Sequence, residues 1–270
     1  MIHPKYIYPP HVLTEYQRVA ASGSFRDKVR FDAIGRPHYA FGLLAAADMA
    51  RFCGIEKLIA IECGVAEGAG LLNLCALAAM VTQETGIAFE LYGFDTGTGL
   101  PPLEDYRDHP EIWSQGDFPN PDKDALLAQL PANAHMVWGN VRETIPAFMQ
   151  SVTAAAPIGF VSNDLDIYSS TRDSLALFTG EAGQYLPVTM TYFDDTLGSP
   201  VRIGSLFRNR WAGQLLAIDE FNETQQKRKI DTLRTLPYRR PLNREMWLQQ
   251  VYGVHVLDHP LRSGKLSREA

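Results

Sequence analysis

Three features of this chain predict an open α/β fold built on a doubly wound, mostly parallel sheet. Short apolar runs alternate with segments of helical periodicity along most of its length, the pattern of strands joined by crossover helices. One run, Ile59-Ala60-Ile61-Glu62, passes through a turn holding Gly64, Gly68 and Gly70 into the helical pattern Leu71-Leu72-Asn73-Leu74-Cys75-Ala76-Leu77. Later runs also close on acids, at Asp95, at Asp164 and Asp166, and at Asp194 and Asp195. In open α/β sheets ligands bind at that carboxyl edge.

The elements follow in order. Residues 1 to about 35 mix aromatics, prolines and charges, with a helix expected near Val12–Ala21. Apolar spacing from Tyr39 to Phe52 gives a helix leading into the first strand, and a second helix follows the glycine turn to about Thr85. Phe89–Asp95 reads as the second strand. Residues 97–123 are rich in Gly, Pro and Asp around Trp113 and Phe118, and so long a loop inside a compact domain reads as a lid. Alternation resumes with strand Ala134–Trp138, helix Val141–Ser151, strand Ile158–Val161 and a helix containing Leu175–Phe178. Val188–Phe193 is a strand, Leu215–Ile218 another short apolar run, Asn222–Leu233 a helix and Val251–Leu257 the last strand. The chain divides into an N-terminal helical extension, 1–50, and a ligand-binding domain, 51–270.

Composition narrows the function. With 46% hydrophobic residues the chain can bury a sizeable core, and its net charge of −6 argues against a nucleic-acid surface. The basic clusters Lys227-Arg228-Lys229 and Arg239-Arg240 read as solvated helix faces or loops. Cys53, Cys63 and Cys75 lack metal-ligand spacing and suit free thiols in a reducing, cytoplasmic setting. No run approaches a membrane span and the amino terminus lacks the order of a signal peptide. A homo-oligomer is compatible with all of this.

Glu62 stands two residues before the first glycine, where it would repel the pyrophosphate of a dinucleotide. Beside the ammonium and sulfonium of S-adenosylmethionine the same charge is favourable, so the turn points to a methyl donor. Asp95, about thirty residues beyond Gly64, can accept both hydroxyls of a ribose or can simply form a turn before Gly97. Asp164, Asp166, Asp194 and Asp195 gather at one sheet edge if their strands are neighbours. Crowded carboxylates repel unless a hard cation such as Mg²⁺ neutralises them, although Asp166 and Asp195 serve equally well as turn and cap residues. Ser170 and Asp173 have the spacing of a capping box at a helix start.

The ordered motifs resemble the class I S-adenosylmethionine-dependent methyltransferases, and among them the macrocin O-methyltransferase family. Glu62-Cys63-Gly64-Val65-Ala66-Glu67-Gly68 is similar to the donor motif of that family, and Phe94-Asp95-Thr96-Gly97-Thr98-Gly99-Leu100-Pro101 to its next element. Gly116-Asp117-Phe118 and Gly139 with Glu143-Thr144-Ile145-Pro146 follow. Asp164-Leu165-Asp166-Ile167-Tyr168-Ser169-Ser170-Thr171 is the closest match, and Phe193-Asp194-Asp195 and Ala217–Phe221 complete a series over residues 59–221.

The resemblance implies a Rossmann-like, seven-stranded sheet and a donor bound by Glu62, Gly64, Val65, Gly68, Asp95, Thr96 and Gly139. It implies a divalent metal on Asp164, Asp194 and Asp195, with Asp164 and Asp194 catalytic, and methylation of a hydroxyl on a small molecule such as a sugar or natural product. The chain departs from the family at Ala66-Glu67, where bulkier and basic residues are usual. It departs again in a longer segment from Thr196 to Trp211 carrying Arg202, Arg208 and Arg210, and at both ends, which match nothing in the family. His109 and His255 are candidate bases or ordinary structural histidines. The competing readings are a donor-binding protein without transferase activity, a nucleic-acid methyltransferase, whose Asn/Asp-Pro-Pro-aromatic and Pro-Cys motifs are missing, and an NAD-dependent dehydrogenase.

Overall fold

The computed structural model describes residues 8–197 and 207–263. Seven strands form one sheet: β1 (Lys57–Cys63), β2 (Ala88–Asp95), β3 (Ala134–Trp138), β4 (Ile158–Asn163), β5 (Tyr185–Phe193), β6 (Arg228–Thr232) and β7 (Val251–Val256). Their spatial order is β3-β2-β1-β4-β5-β7-β6, with β7 antiparallel to both neighbours and the remaining pairs parallel. This is the doubly wound, mostly parallel sheet expected. The strand order reverses between β1 and β4, so a crevice opens at their carboxyl ends.

Helices cover both faces: α1 (Pro10–Ser22), α2 (Phe25–Arg30), α3 (Pro37–Cys53), α4 (Ala69–Thr85), α5 (Lys123–Leu127), α6 (Val141–Met149), α7 (Tyr168–Ser174), α8 (Gly213–Thr224) and α9 (Leu236–Arg239). Successive side chains of a strand point to opposite faces. In β1, Leu58 and Ala60 therefore join the core formed with Tyr39, Leu43 and Ala47 of α3 and Leu71 and Leu74 of α4. Ile59, Ile61 and Cys63 face the other layer, with Phe148 of α6, Tyr168 of α7 and Phe221 of α8. Glu62 shares the phase of Leu58 and Ala60, which sends its carboxylate between α3 and α4. Buried on both faces, β1 reads as a continuous apolar run, as central parallel strands do.

Some expectations change. The run Leu215–Ile218 belongs to helix α8, and the helix expected over Asn222–Leu233 is instead the end of α8 followed by β6. Arg228 is not on a solvated face: it lies buried in β6, paired with Asp258 and bonded to the Gly180 carbonyl. Arg240 likewise pairs with the buried Asp32. No capping box forms at Ser170, because α7 already starts at Tyr168 with Ile167 as its N-cap. The acceptor at that helix start comes from the lid: Asp108 takes bonds from the Ser169 amide (2.7 Å) and hydroxyl (3.0 Å) and from the Glu104 amide (2.7 Å).

Residues 198–206, including Arg202 of the segment expected to be long, lie outside the described residues. Among the described residues no helix is long and apolar enough to cross a membrane.

Candidate functional site

Five carboxyl ends converge on the crevice. The glycine turn follows β1, Asp95 ends β2, Gly139 follows β3, Asp164 and Asp166 follow β4, and Asp194 and Asp195 follow β5. A cavity of about 360 Å³ is lined by Asp95, Trp113, Phe118, Asp164, Asp166 and Asp195 among others. A second, of about 520 Å³, is lined by Arg36, Glu62, Gly70 and Pro121, and the two share Gly64, Ala66, Phe118 and Asp164 as walls.

The glycines answer to the protein as much as to a ligand. Gly64 has φ +85°, and a Cβ there would stand 1.7 Å from the Asp164 carbonyl oxygen. Gly70 leaves room for Glu62, whose Oε1 would lie 2.0 Å from an added Cβ. Glu62 thus sits against the first turn of α4, where a helix favours negative charge. Its Oε1 accepts a 2.5 Å bond from the Tyr39 hydroxyl, which in turn accepts one from Ser162. Its Oε2 is buried with no hydrogen-bond partner. Burial pushes the Glu62 carboxyl up to about 7, against a pull downward from the Tyr39 bond and Arg36.

Asp95 knits the turn together. Its Oδ2 accepts from the amides of Val65 (2.8 Å) and Ala66 (2.9 Å), and its Oδ1 from Gly97 (2.6 Å). A carboxylate offers about four acceptor sites, so one remains for a ligand hydroxyl. Thr96 turns its hydroxyl back onto the Gly99 carbonyl at 2.7 Å. Val65 is buried, and Gly139 lines the first cavity with φ +138°. Gly68 lines neither cavity: it caps α4 beneath Leu126, which would lie 2.4 Å from a Cβ there.

Three of the four acids form a compact set, which differs by one residue from the metal set that the resemblance implied. Asp164, Asp166 and Asp195 each bring an oxygen within 4.8 Å of the others, and Asp194 is not of that set. Asp194 lines the same cavity and takes a bond from the Tyr192 hydroxyl. Asp166 joins because it leaves the extended conformation, with φ +61°. Burial and then the repulsion of Asp194, Asp195 and Asp166 hold the Asp164 carboxyl well above the usual range; burial and the same kind of repulsion raise Asp166. Burial also raises Asp195, opposed by the Arg208 guanidinium 2.5 Å away. Arg208 packs over the Trp113 ring of the lid, 5.6 Å from its centroid.

Three groups had no signal in the sequence as site residues. Gln214, fully buried at the start of α8, accepts from the Asp195 amide (2.8 Å) and donates to the Asn163 carbonyl (3.2 Å), joining the ends of β4 and β5. Tyr39 belongs to α3, inside the segment 1–50, and Asp108 acts from the lid. Neither histidine reaches a cavity. His109 is buried against Glu111 (2.7 Å) and the start of α8, and His255 meets Arg262 at 3.1 Å.

The arrangement fits both groups the sequence implied. The unpartnered Oε2 of Glu62 suits an ammonium, and the buried Asp195 Oδ2, also without a partner, adds to an all-oxygen donor set suited to a hard divalent ion. The seven-stranded order with an antiparallel β7 is the Rossmann-like sheet that the resemblance to class I S-adenosylmethionine-dependent methyltransferases implied. The resemblance to the macrocin O-methyltransferases is one of sequence motifs alone.

Comparison with known proteins adds likeness in structure only. No protein-family model matches the chain, and no curated protein does. Among solved structures it is similar to the calicheamicin methyltransferase CalS11, at 21% identity over 80% of this chain and 86% of that one, with a TM-score of 0.48. It is similar to MycE, a methyltransferase of the mycinamycin biosynthetic pathway in complex with Mg and SAH, at 13% identity over 93% of this chain and 54% of that one, TM-score 0.41. A third is the plantazolicin methyltransferase BpumL in complex with SAH, at 9% identity over 91% and 99%, TM-score 0.39.

Proposed function

We propose that the chain is an S-adenosylmethionine-dependent O-methyltransferase acting on a hydroxyl of a small molecule, of sugar or natural-product kind, with a divalent cation such as Mg²⁺ at its acidic cluster. One observation carries the reading: the cavity beside Glu62 and the cavity holding the aspartates meet across Gly64 and Asp164. Donor and acceptor would therefore meet at the switch point of the sheet.

Glu62 binds the donor ammonium, while Asp95 and the amides it organises face the ribose. The lid aromatics Trp113 and Phe118, in edge contact at 5.8 Å, wall the first cavity against water and offer rings on which an acceptor can pack. A bound donor would supply an electrophilic methyl group to the acceptor hydroxyl and leave as a thioether, and Asp194, in the wall of the first cavity, is the residue that would take the hydroxyl proton. Tyr192 fixes the orientation of that carboxylate. Asp164, Asp166 and Asp195, with Asp194 beside them, would hold the cation, which supplies acidity and orientation to the hydroxyl.

The test is transfer of a labelled methyl group from S-adenosylmethionine to a panel of hydroxylated sugars and phenols. Transfer that falls at least a hundredfold on chelation, returns with Mg²⁺ and is lost in Asp164→Asn supports the proposal. Transfer indifferent to chelation and to Asp164→Asn removes the metal from it. Donor binding without transfer to any acceptor leaves the binding-protein reading in its place.

A further inference from the structure

We propose that Arg36 is the carboxylate-binding residue of the donor site, so that the amino-acid end of the donor lies as a zwitterion between Glu62 and Arg36 in the second cavity. The inference rests on the donor reading above and assigns an end of the ligand that the sequence motifs leave unassigned.

Arg36 and Glu62 line the same cavity, and Arg36 is the sole cation among its described lining residues, against the three acids Glu62, Glu67 and Asp164. Its guanidinium makes no ion pair or hydrogen bond among the described residues. It is nevertheless positioned, 5.2 Å from the centroid of the Tyr39 ring. The hydroxyl of that ring bonds Glu62 Oε1, so one aromatic side chain orders both charges. The free Oε2 of Glu62 is buried and lacks a partner, which marks this end of the cavity as built for a cation. An amine alone would be served by the acids of this cavity, and an unpaired arginine would only weaken its binding. An α-amino acid carries ammonium and carboxylate on one carbon and satisfies both sides.

The backbone agrees. Arg36 holds a left-handed conformation, φ 46° and ψ 66°, as N-cap of α3. Such a conformation is strained for a residue with a Cβ, and strained residues of this kind cluster at ligand clamps. Pro37 in the first turn and the amides of Tyr39 and Ala40, which bond the Arg36 carbonyl at 3.0 and 3.2 Å, hold it there. The nucleoside would then occupy the first cavity beside Asp95, with the ligand passing over the shared wall at Gly64.

Calorimetric titration of wild type, Arg36→Met, Arg36→Lys and Arg36→Gly with S-adenosylmethionine and with its decarboxylated form tests the assignment. The decarboxylated form keeps nucleoside, sulfonium and amine and lacks only the carboxylate. Wild type should prefer S-adenosylmethionine at least tenfold. Arg36→Met should erase that preference while binding the decarboxylated ligand as wild type does. Arg36→Lys should recover part of it, and Arg36→Gly, which relieves the backbone, should not. Persistence of the preference in Arg36→Met, or an equal loss of both ligands, overturns the proposal. Wild type binding neither ligand instead sinks the donor reading on which it stands.

Discussion

Replacing Glu62 by glutamine removes a charge from a site where burial works against it. The wild-type carboxyl is pushed from 4.5 to about 7. Each unit of such a shift is about 1.4 kcal/mol, so the ionised form costs the fold about 3 kcal/mol at pH 8. The sign follows from linkage. A carboxyl whose folded value is raised contributes stability fully present below 4.5 and lost as pH rises through about 7. At pH 5.5 the folded protein is mostly protonated there, the unfolded chain is ionised, and about 1.4 kcal/mol of the cost is already incurred. Between pH 5.5 and 8, wild type without ligand should lose about 2 kcal/mol that Glu62→Gln does not lose. The glutamine can still accept the Tyr39 bond, so the network is kept. Urea unfolding of both proteins at the two pH values reads the difference directly, because other groups cancel between them. Donor affinity should move the opposite way, with Glu62→Gln binding S-adenosylhomocysteine at least tenfold more weakly at pH 8. Parallel stability profiles for the two proteins would show that burial does not raise the Glu62 carboxyl.

Two further changes probe the site. Gly70→Ala places a Cβ 2.0 Å from Glu62 Oε1 and must displace that carboxylate; we expect a loss of about 1–3 kcal/mol in unfolding and little remaining donor affinity by calorimetry. Asp108→Ala leaves the Ser169 and Glu104 amides without their acceptor. Each such loss costs about 1–3 kcal/mol, so the lid should be cut within residues 97–122 much faster than wild type in limited proteolysis while the sheet stays protected. Equal cleavage would show that Asp108 does not latch it.

The legibility of this chain follows the range of the interactions involved. β1, its turn and α4 were readable because a fully buried strand, a φ-positive glycine and an apolar helix each leave a local mark. That acids crowd this edge was readable from where the strands end, but that Asp166 rather than Asp194 completes the compact set depends on a left-handed residue the sequence does not announce. β6 was read as the end of a helix because it is an edge strand made of Arg228, Lys229 and Asp231 around Ile230, and so charged an edge shows no apolar strand run. Leu215–Ile218 misled as a short run because the helical partner Phe221 lies beyond it. The start of α7 looked self-capped at Ser170, whereas its acceptor comes from Asp108 far back in the chain. Arg36, Tyr39 and Gln214 act on the site from elements distant in sequence, and only folding shows them there.

The pocket around Glu62 should receive a cationic thio-nucleoside and reject a dinucleotide. Titration of the purified protein with S-adenosylmethionine and, separately, with NADH measures this most directly. S-adenosylmethionine should bind saturably at one site per chain, and NADH should give no heat. Binding of NADH, or silence with S-adenosylmethionine, would contradict it.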